Sequence, residues 1–196
     1  MLEKLNLKKG AMFGLDARVA LAIIGTLVVI SSFYAYSIVR DAKVGAIIFD
    51  GKEIVKAIES YEYDINNELG NFAATEKLEL SKLLSDSDTK WKGPYISTVN
   101  IGIDNSRLVS PNLGSFYVFK AKGREATDVT DDPFIACVSG QTCYLWMIYD
   151  DSAFSSVINN MAQKLDEQLD SLDGFLTGKI QKWNNALMYR LQQIDF

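Results

Sequence analysis

The chain has 196 residues, 48% of them hydrophobic, with 20 Lys and Arg against 25 Asp and Glu for a net charge of −5. It has no histidine and two cysteines, which excludes serine–histidine–aspartate triads and histidine-based metal sites. The acidic balance disfavours direct nucleic-acid binding along its surface, apart from the local basic stretch Lys120, Lys122 and Arg124.

Reading from the N-terminus, Val19 to Val39 carries no charge between Arg18 and Arg40, and a lone acid, Asp16, stands just ahead of the run. About 21 residues at 1.5 Å rise give roughly 31 Å of helix, which matches a hydrocarbon core of about 30 Å. A cleaved secretory signal would place small residues after its apolar core. Here Gly10 and Ala11 come before it, and Tyr34-Ala35-Tyr36-Ser37 is a poor cleavage site. An ordinary signal anchor, with Lys8 and Lys9 held in the cytoplasm by the positive-inside rule, fits the run but leaves Asp16 unexplained.

After Arg40, Val44, Ile47, Ile48, Ile54, Val55, Ile58 and Tyr61 recur at three and four, while Lys43, Asp50, Lys52, Glu53, Lys56 and Glu59 take the other positions. The pattern predicts that the same helix continues as an amphipathic rod to about Asn66, some 55 residues and roughly 80 Å from Met12 if unbroken. The alternative is a hinge at Gly45 or Gly51, but neither is followed by proline or a turn cluster.

The stretch from residue 67 to Phe196 is long enough for one domain with its own core. Glu76 to Leu84 reads as a short helix, and Gly93-Pro94 in Trp91-Lys92-Gly93-Pro94-Tyr95 imposes an extended or turning path. Phe116 to Phe119 and Cys143 to Tyr149 read as strands. Phe154 to Leu172 carries a helical stripe of Val157, Ile158, Met161, Leu165, Leu169 and Leu172, ending at Asp173-Gly174. Leu187 to Leu191 alternates as a terminal strand with Leu187, Tyr189 and Leu191 inward. Cys137 and Cys143 bracket the turn signal Ser139-Gly140 between β-like flanks, so a hairpin brings them within disulfide reach. Their spacing does not suit a redox or metal pair.

The short basic leader, the acid before the apolar run and Ala22-Ile23-Ile24-Gly25 within it resemble the class III leader and N-terminal helix of type IV prepilins and type II secretion pseudopilins. Alignment on Ala22-Ile23-Ile24-Gly25 puts the family's glutamate on Asp16 and the peptidase cut between Ala11 and Met12. There are four departures. Ala11 replaces the usual Gly, Asp16 replaces Glu, Arg18 is charged where the family is apolar, and Phe33 stands where a proline is common. A cut after Gly10 would instead leave Asp16 one residue deeper in the processed chain. Trp91-Lys92-Gly93-Pro94-Tyr95 is similar to a W-x-G-P-Y segment of the major pseudopilins. Leu165-Asp166 through Leu172-Asp173-Gly174 to Thr177-Gly178-Lys179-Ile180 is similar to a region near the end of many pseudopilins.

The resemblance implies an α+β fold in which a long N-terminal helix, transmembrane and then amphipathic, packs on a small antiparallel β-sheet. It implies a leader (1–11), a filament-core helix (12–39), an amphipathic second half (40–66) and a periplasmic globular domain (67–196). The chain would be a non-enzymatic filament subunit, cut by prepilin peptidase and methylated on the new amine of Met12. It would polymerise through its helix, with Asp16 pairing to the amine of a neighbouring subunit. Partners would be identical or related pilin subunits, the peptidase and an inner-membrane assembly platform, with no direct nucleic acid. The precursor would sit in the bacterial inner membrane and its product in a pilus or periplasmic pseudopilus.

No cofactor is expected except calcium, which major pseudopilins bind in a C-terminal loop. The acidic clusters Asp128, Asp131, Asp132, Asp150 and Asp151 offer hard oxygen ligands for such an ion. Their spacing is not that of an EF-hand loop, and no metal ligand is assigned. Two other readings stand beside this one: a membrane-anchored periplasmic binding or sensor domain that never polymerises, and an anchored hydrolase using the acidic clusters.

Overall fold

Helix α1 (Lys8–Ile65) runs without a break through Gly25, Gly45 and Gly51. It stops where Asn66 adopts a left-handed backbone, φ 57°, and donates its N–H to the Glu62 carbonyl at 2.9 Å. Asparagine tolerates that conformation better than most residues and so closes the helix. The computed structural model describes residues 8–73, 75–111, 114–122, 135–149 and 155–195. The chain divides into two compact units, Met1–Asp41 and Ala42–Phe196.

In the second unit a six-stranded antiparallel sheet has the order β1-β2-β3-β4-β6-β5. Its strands are β1 (Asn100–Ile101), β2 (Arg107–Ser110), β3 (Gly114–Ala121), β4 (Thr142–Tyr149), β5 (Ile180–Trp183) and β6 (Ala186–Asp195). Strand side chains alternate between faces, and both faces are used. Phe116, Val118, Leu145, Met147, Leu187 and Tyr189 join the main core, whereas Tyr117, Phe119, Trp146, Ile148 and Met188 form a second cluster. The terminal strand thus faces Leu187 and Tyr189 inward as expected, and also buries the residue between them. A register shift between Leu145 and Trp146 leaves Leu191 opposite no partner in the β4–β6 ladder. Asn184, φ 52°, makes the tight β5–β6 turn.

The second half of α1 supplies Val44, Ile47, Ile54, Ala57, Ile58, Tyr61 and Ile65 to the main core. Each fully buried aliphatic side chain of this kind contributes about 1.5–3 kcal/mol. Gly51 is buried on the same face, because a Cβ there would come within 2.7 Å of the Tyr189 ring and 2.8 Å of Leu191. Its role is close helix–strand approach, not hinging. A Cβ at Gly45 would meet nothing within 4 Å.

Asp50 departs from the sequence reading, which placed it with the polar positions. It is only 7% exposed and accepts a hydrogen bond from the Tyr149 hydroxyl at 3.2 Å. It lies beside Gly51 and Ile47 on the helix, at the border of the apolar stripe, and Tyr149 with Ser110 satisfies its carboxylate. Burial raises its pKa, and those two hydrogen bonds offset the rise in part.

Trp91-Lys92-Gly93-Pro94-Tyr95 lies against the end of α1. Lys92 Nζ reaches Asp64 at 2.8 Å, the Tyr95 hydroxyl donates to Asp64 at 3.0 Å, and the Trp91 indole donates to the Lys82 carbonyl at 3.0 Å. The Gly93-Pro94 peptide is cis.

The short helix read over Glu76 to Leu84 reduces to a 3₁₀ turn at Leu80–Leu83. Leu78 and Leu80 are both fully buried, a two-residue spacing that one face of an α-helix does not provide. Lys77 and Leu78 instead make isolated β-bridges with Phe119 and Asn71.

Helix α2 (Ser155–Leu169) buries Met161, Ala162 and Leu165 and ends earlier than the stripe suggested. Ser171 and Leu172 have φ of 58° and 61°, and Leu172 is 57% exposed. The turn signal at Asp173-Gly174 holds, since Gly174 has φ +96°.

The raised pKa of Asp50 fixes the sign of one pH effect. An acid whose folded pKa lies above its unfolded value of about 3.9 favours folding at low pH and loses that contribution as pH rises through the folded pKa. Between pH 7 and pH 4 the wild-type chain should therefore gain stability relative to Asp50→Asn. Thermal unfolding of both in detergent micelles checks this, and parallel pH profiles would contradict it.

Candidate functional site

Ala11 and Met12 fall on the backbone of α1, as does Asp16. From Gly14 to Tyr36 every residue of the helix is exposed, with Leu21 at 69% and Phe33 at 75%. This is the one helix among the described residues long and apolar enough to cross a membrane, and none of its most apolar stretch is buried. An apolar surface this large marks contact with lipid or with other protein. Asp16 and Arg18 are both exposed, and neither has a hydrogen-bond or ion-pair partner among the described residues.

A second constellation forms where α2 ends. Asp166, Asp170 and Asp173 bring carboxylate oxygens to within 4.8 Å of one another. Asp166 and Asp170 are four apart, hence on one side of α2 and its continuation. The left-handed residues Ser171 and Leu172 then turn the chain so that Asp173 comes back to them. The site is electrostatically unfavourable. A helix C-terminus carries partial negative charge, and the last turn of α2 has no basic residue.

Asp166 is 3% exposed, and its Oδ1 is buried without a hydrogen-bond partner. Its pKa is raised, first by burial and then by the charges of Asp173 and Asp170, against a hydrogen bond from the Gly174 N–H. Asp170 Oδ2 accepts the backbone N–H groups of Lys179 and, at 3.1 Å, Ile180, which ties the cluster to the start of β5. Gly178, φ +80°, permits this, because any Cβ there would run into the Asp170 carboxylate. Three convergent carboxylates with one orphaned buried oxygen form a donor set for a hard cation.

The sequence reading named Asp166 and Asp173 only within a longer resembling stretch, which also contains Asp170, and assigned none of the three a role. The usable signal was the i, i+4 acid pair at a helix end followed by a further acid and a glycine. The acids it did single out, Asp128, Asp131, Asp132, Asp150 and Asp151, lie outside the described residues, as does Arg124. Lys120 of the basic stretch pairs with Glu68 at 2.7 Å.

Cys137 and Cys143 form a disulfide with their Cα atoms 6.0 Å apart. Ser139 and Gly140 make the turn between them, with Gly140 at φ +84°. Only the second flank is a strand: residues 135–138 are irregular and β4 starts at Thr142, so the expected hairpin is a turn leading into one strand. The closed loop is short, so it stabilises by less than the roughly 3 kcal/mol of a 15-residue loop. No family model, no curated protein and no solved structure matches the chain.

Proposed function

We propose that this chain is a subunit of a type IV pilus-like filament, a pilin or a type II secretion pseudopilin, with a pilin-like fold. The observation that carries the reading is the split character of α1. Its first half is uncharged from Val19 to Val39 and bare, while its second half is built into the core of a sheet domain. A bare apolar helix ahead of a self-sufficient domain suits a part that is held first by lipid and then by copies of itself.

On this reading the precursor crosses the inner membrane once with its C-terminal domain in the periplasm. Prepilin peptidase cuts between Ala11 and Met12, the new amine is methylated, and an assembly platform moves the subunit into a filament core. Asp16 acts in assembly, since an unpaired Asp at the centre of an apolar helix costs roughly 2.5–3.5 kcal/mol, and less near its end. It therefore favours any packing that supplies a cation. The disulfide agrees with an oxidising compartment.

Calcium is the cation this reading gives to Asp166, Asp170 and Asp173. The ion takes six to eight oxygen ligands, so three carboxylates would be completed by carbonyls or water. Its role would be structural, joining the end of α2 to the loop before β5.

The N-terminal residue of protein recovered from cells with an active peptidase should be Met12, methylated or free. An intact Met1 under those conditions would favour the membrane-anchored sensor or binding domain and sink the filament reading. Asp16→Ala should insert normally yet assemble slowly or not at all.

For the acidic cluster, millimolar calcium should raise the thermal midpoint of the full chain in detergent, and a chelator should reverse it. A ligand at 100 times its Kd stabilises by about 2.7 kcal/mol. Asp166→Asn should abolish the response, and an unchanged midpoint in the wild type would rule the site out.

A further inference from the structure

Arg18 is not absorbed by the leader, the span or the family resemblance, yet it sits in the apolar half of α1 with no hydrogen-bond or ion-pair partner among the described residues. Asp16 is the only acid between Glu3 and Asp41, and Arg18 is the only basic residue between Lys9 and Arg40. Among the side chains inside an apolar layer these two are therefore each other's nearest counter-ions, and the processed amine of Met12 is the rival cation for Asp16. Within one chain they are badly placed to meet. Two helical residues advance by roughly 200° about the axis, which sets Asp16 and Arg18 on nearly opposite sides of α1.

We propose that Asp16 of one copy pairs with Arg18 of the next copy across the helix–helix contact, so that a second copy of this chain is the partner that covers this stretch. The proposal rests on the filament reading above and names the contact that sets its direction. Opposite charges on opposite sides of one helix cannot form a two-fold contact, in which the same patch meets itself. They form a head-to-tail contact, which leaves an unused acid at one end and an unused guanidinium at the other and so continues as an open polymer.

The guanidinium suits the task, because it stays charged and can grip a carboxylate through two parallel N–H donors. The exposed neighbours Leu15, Ala17, Val19 and Ala20 add no competing charge and exclude water once the helices pack. An amine at Met12 pairing with Asp16 would instead leave Arg18 as a bare cation in the same layer.

The test is charge exchange in the full-length chain, expressed with its processing and assembly machinery. Filaments sheared from cells are the readout, and inserted, processed subunit is measured alongside. Asp16→Arg alone and Arg18→Asp alone should each lose filaments while inserting and processing normally. The double variant Asp16→Arg with Arg18→Asp should restore them. Co-expression of the two single variants should do the same, giving filaments that contain both chains.

Wild-type filament yield from Arg18→Leu would overturn the proposal while leaving the filament reading intact. So would a double variant that is processed and inserted but makes no filaments, since that outcome assigns Asp16 to the amine. Absence of filaments from the wild type itself, with processing complete, would instead overturn the filament reading.

Discussion

Twenty-one residues of uncharged helix, exposed along almost their whole length among the described residues, set the terms for everything else in this chain. Water is a poor medium for Val19–Val39, since each large apolar side chain left exposed forgoes about 1.5–3 kcal/mol relative to burial. Backbone polarity adds a second condition. In lipid only a helix satisfies all its own N–H and C=O groups, and α1 does so without interruption through Gly25 and Phe33. The described residues of the first unit bury no part of this surface. Its cover has to come from a bilayer, from other helices, or from each in turn.

The second unit has a buried core of its own. Helix α1 lends it a full apolar stripe, and the sheet answers with one face of β3, β4 and β6. Close approach depends on Gly51 against Tyr189 and Leu191, and on Asp50 being satisfied by Tyr149 and Ser110. The aromatic sequence Trp91 to Tyr95 closes the far end of the helix through Asp64 and Lys82. The disulfide and the Asp170 bridge to Lys179 and Ile180 hold loops at two further places. None of these contacts draws on the exposed half of α1.

How much of this was legible in the sequence follows the length of each pattern. The second half of α1 and β6 were readable from periodicity that says which face is inward, and β3 and β4 from runs of aromatic and β-favouring residues such as Phe116 to Phe119. The two- and four-residue strands β1, β2 and β5 leave too little pattern to detect, and the order that puts β6 between β4 and β5 is a long-range outcome. The stretch around Leu78 and Leu80 misled because leucines spaced by two and three fit several local shapes until β3 supplies a partner. Asp50 looked like a surface residue because its partners are about 60 and 100 positions away in the chain. The acidic cluster was hidden for a related reason: only the left-handed turn at Ser171 and Leu172 brings Asp173 back to Asp166 and Asp170. The N-terminal motif, by contrast, is local, so its residues could be read one by one.

On the proposed function the bare half of α1 becomes the core of a polymer. Cryo-electron microscopy of material sheared from cells that express the chain with its peptidase and assembly platform tests it most directly. A helical filament with Val19–Val39 packed around its axis and the sheet domains outside is the expected result. Recovery of the processed chain only as a monomer in the membrane fraction, with no filament in the sheared material, would contradict it.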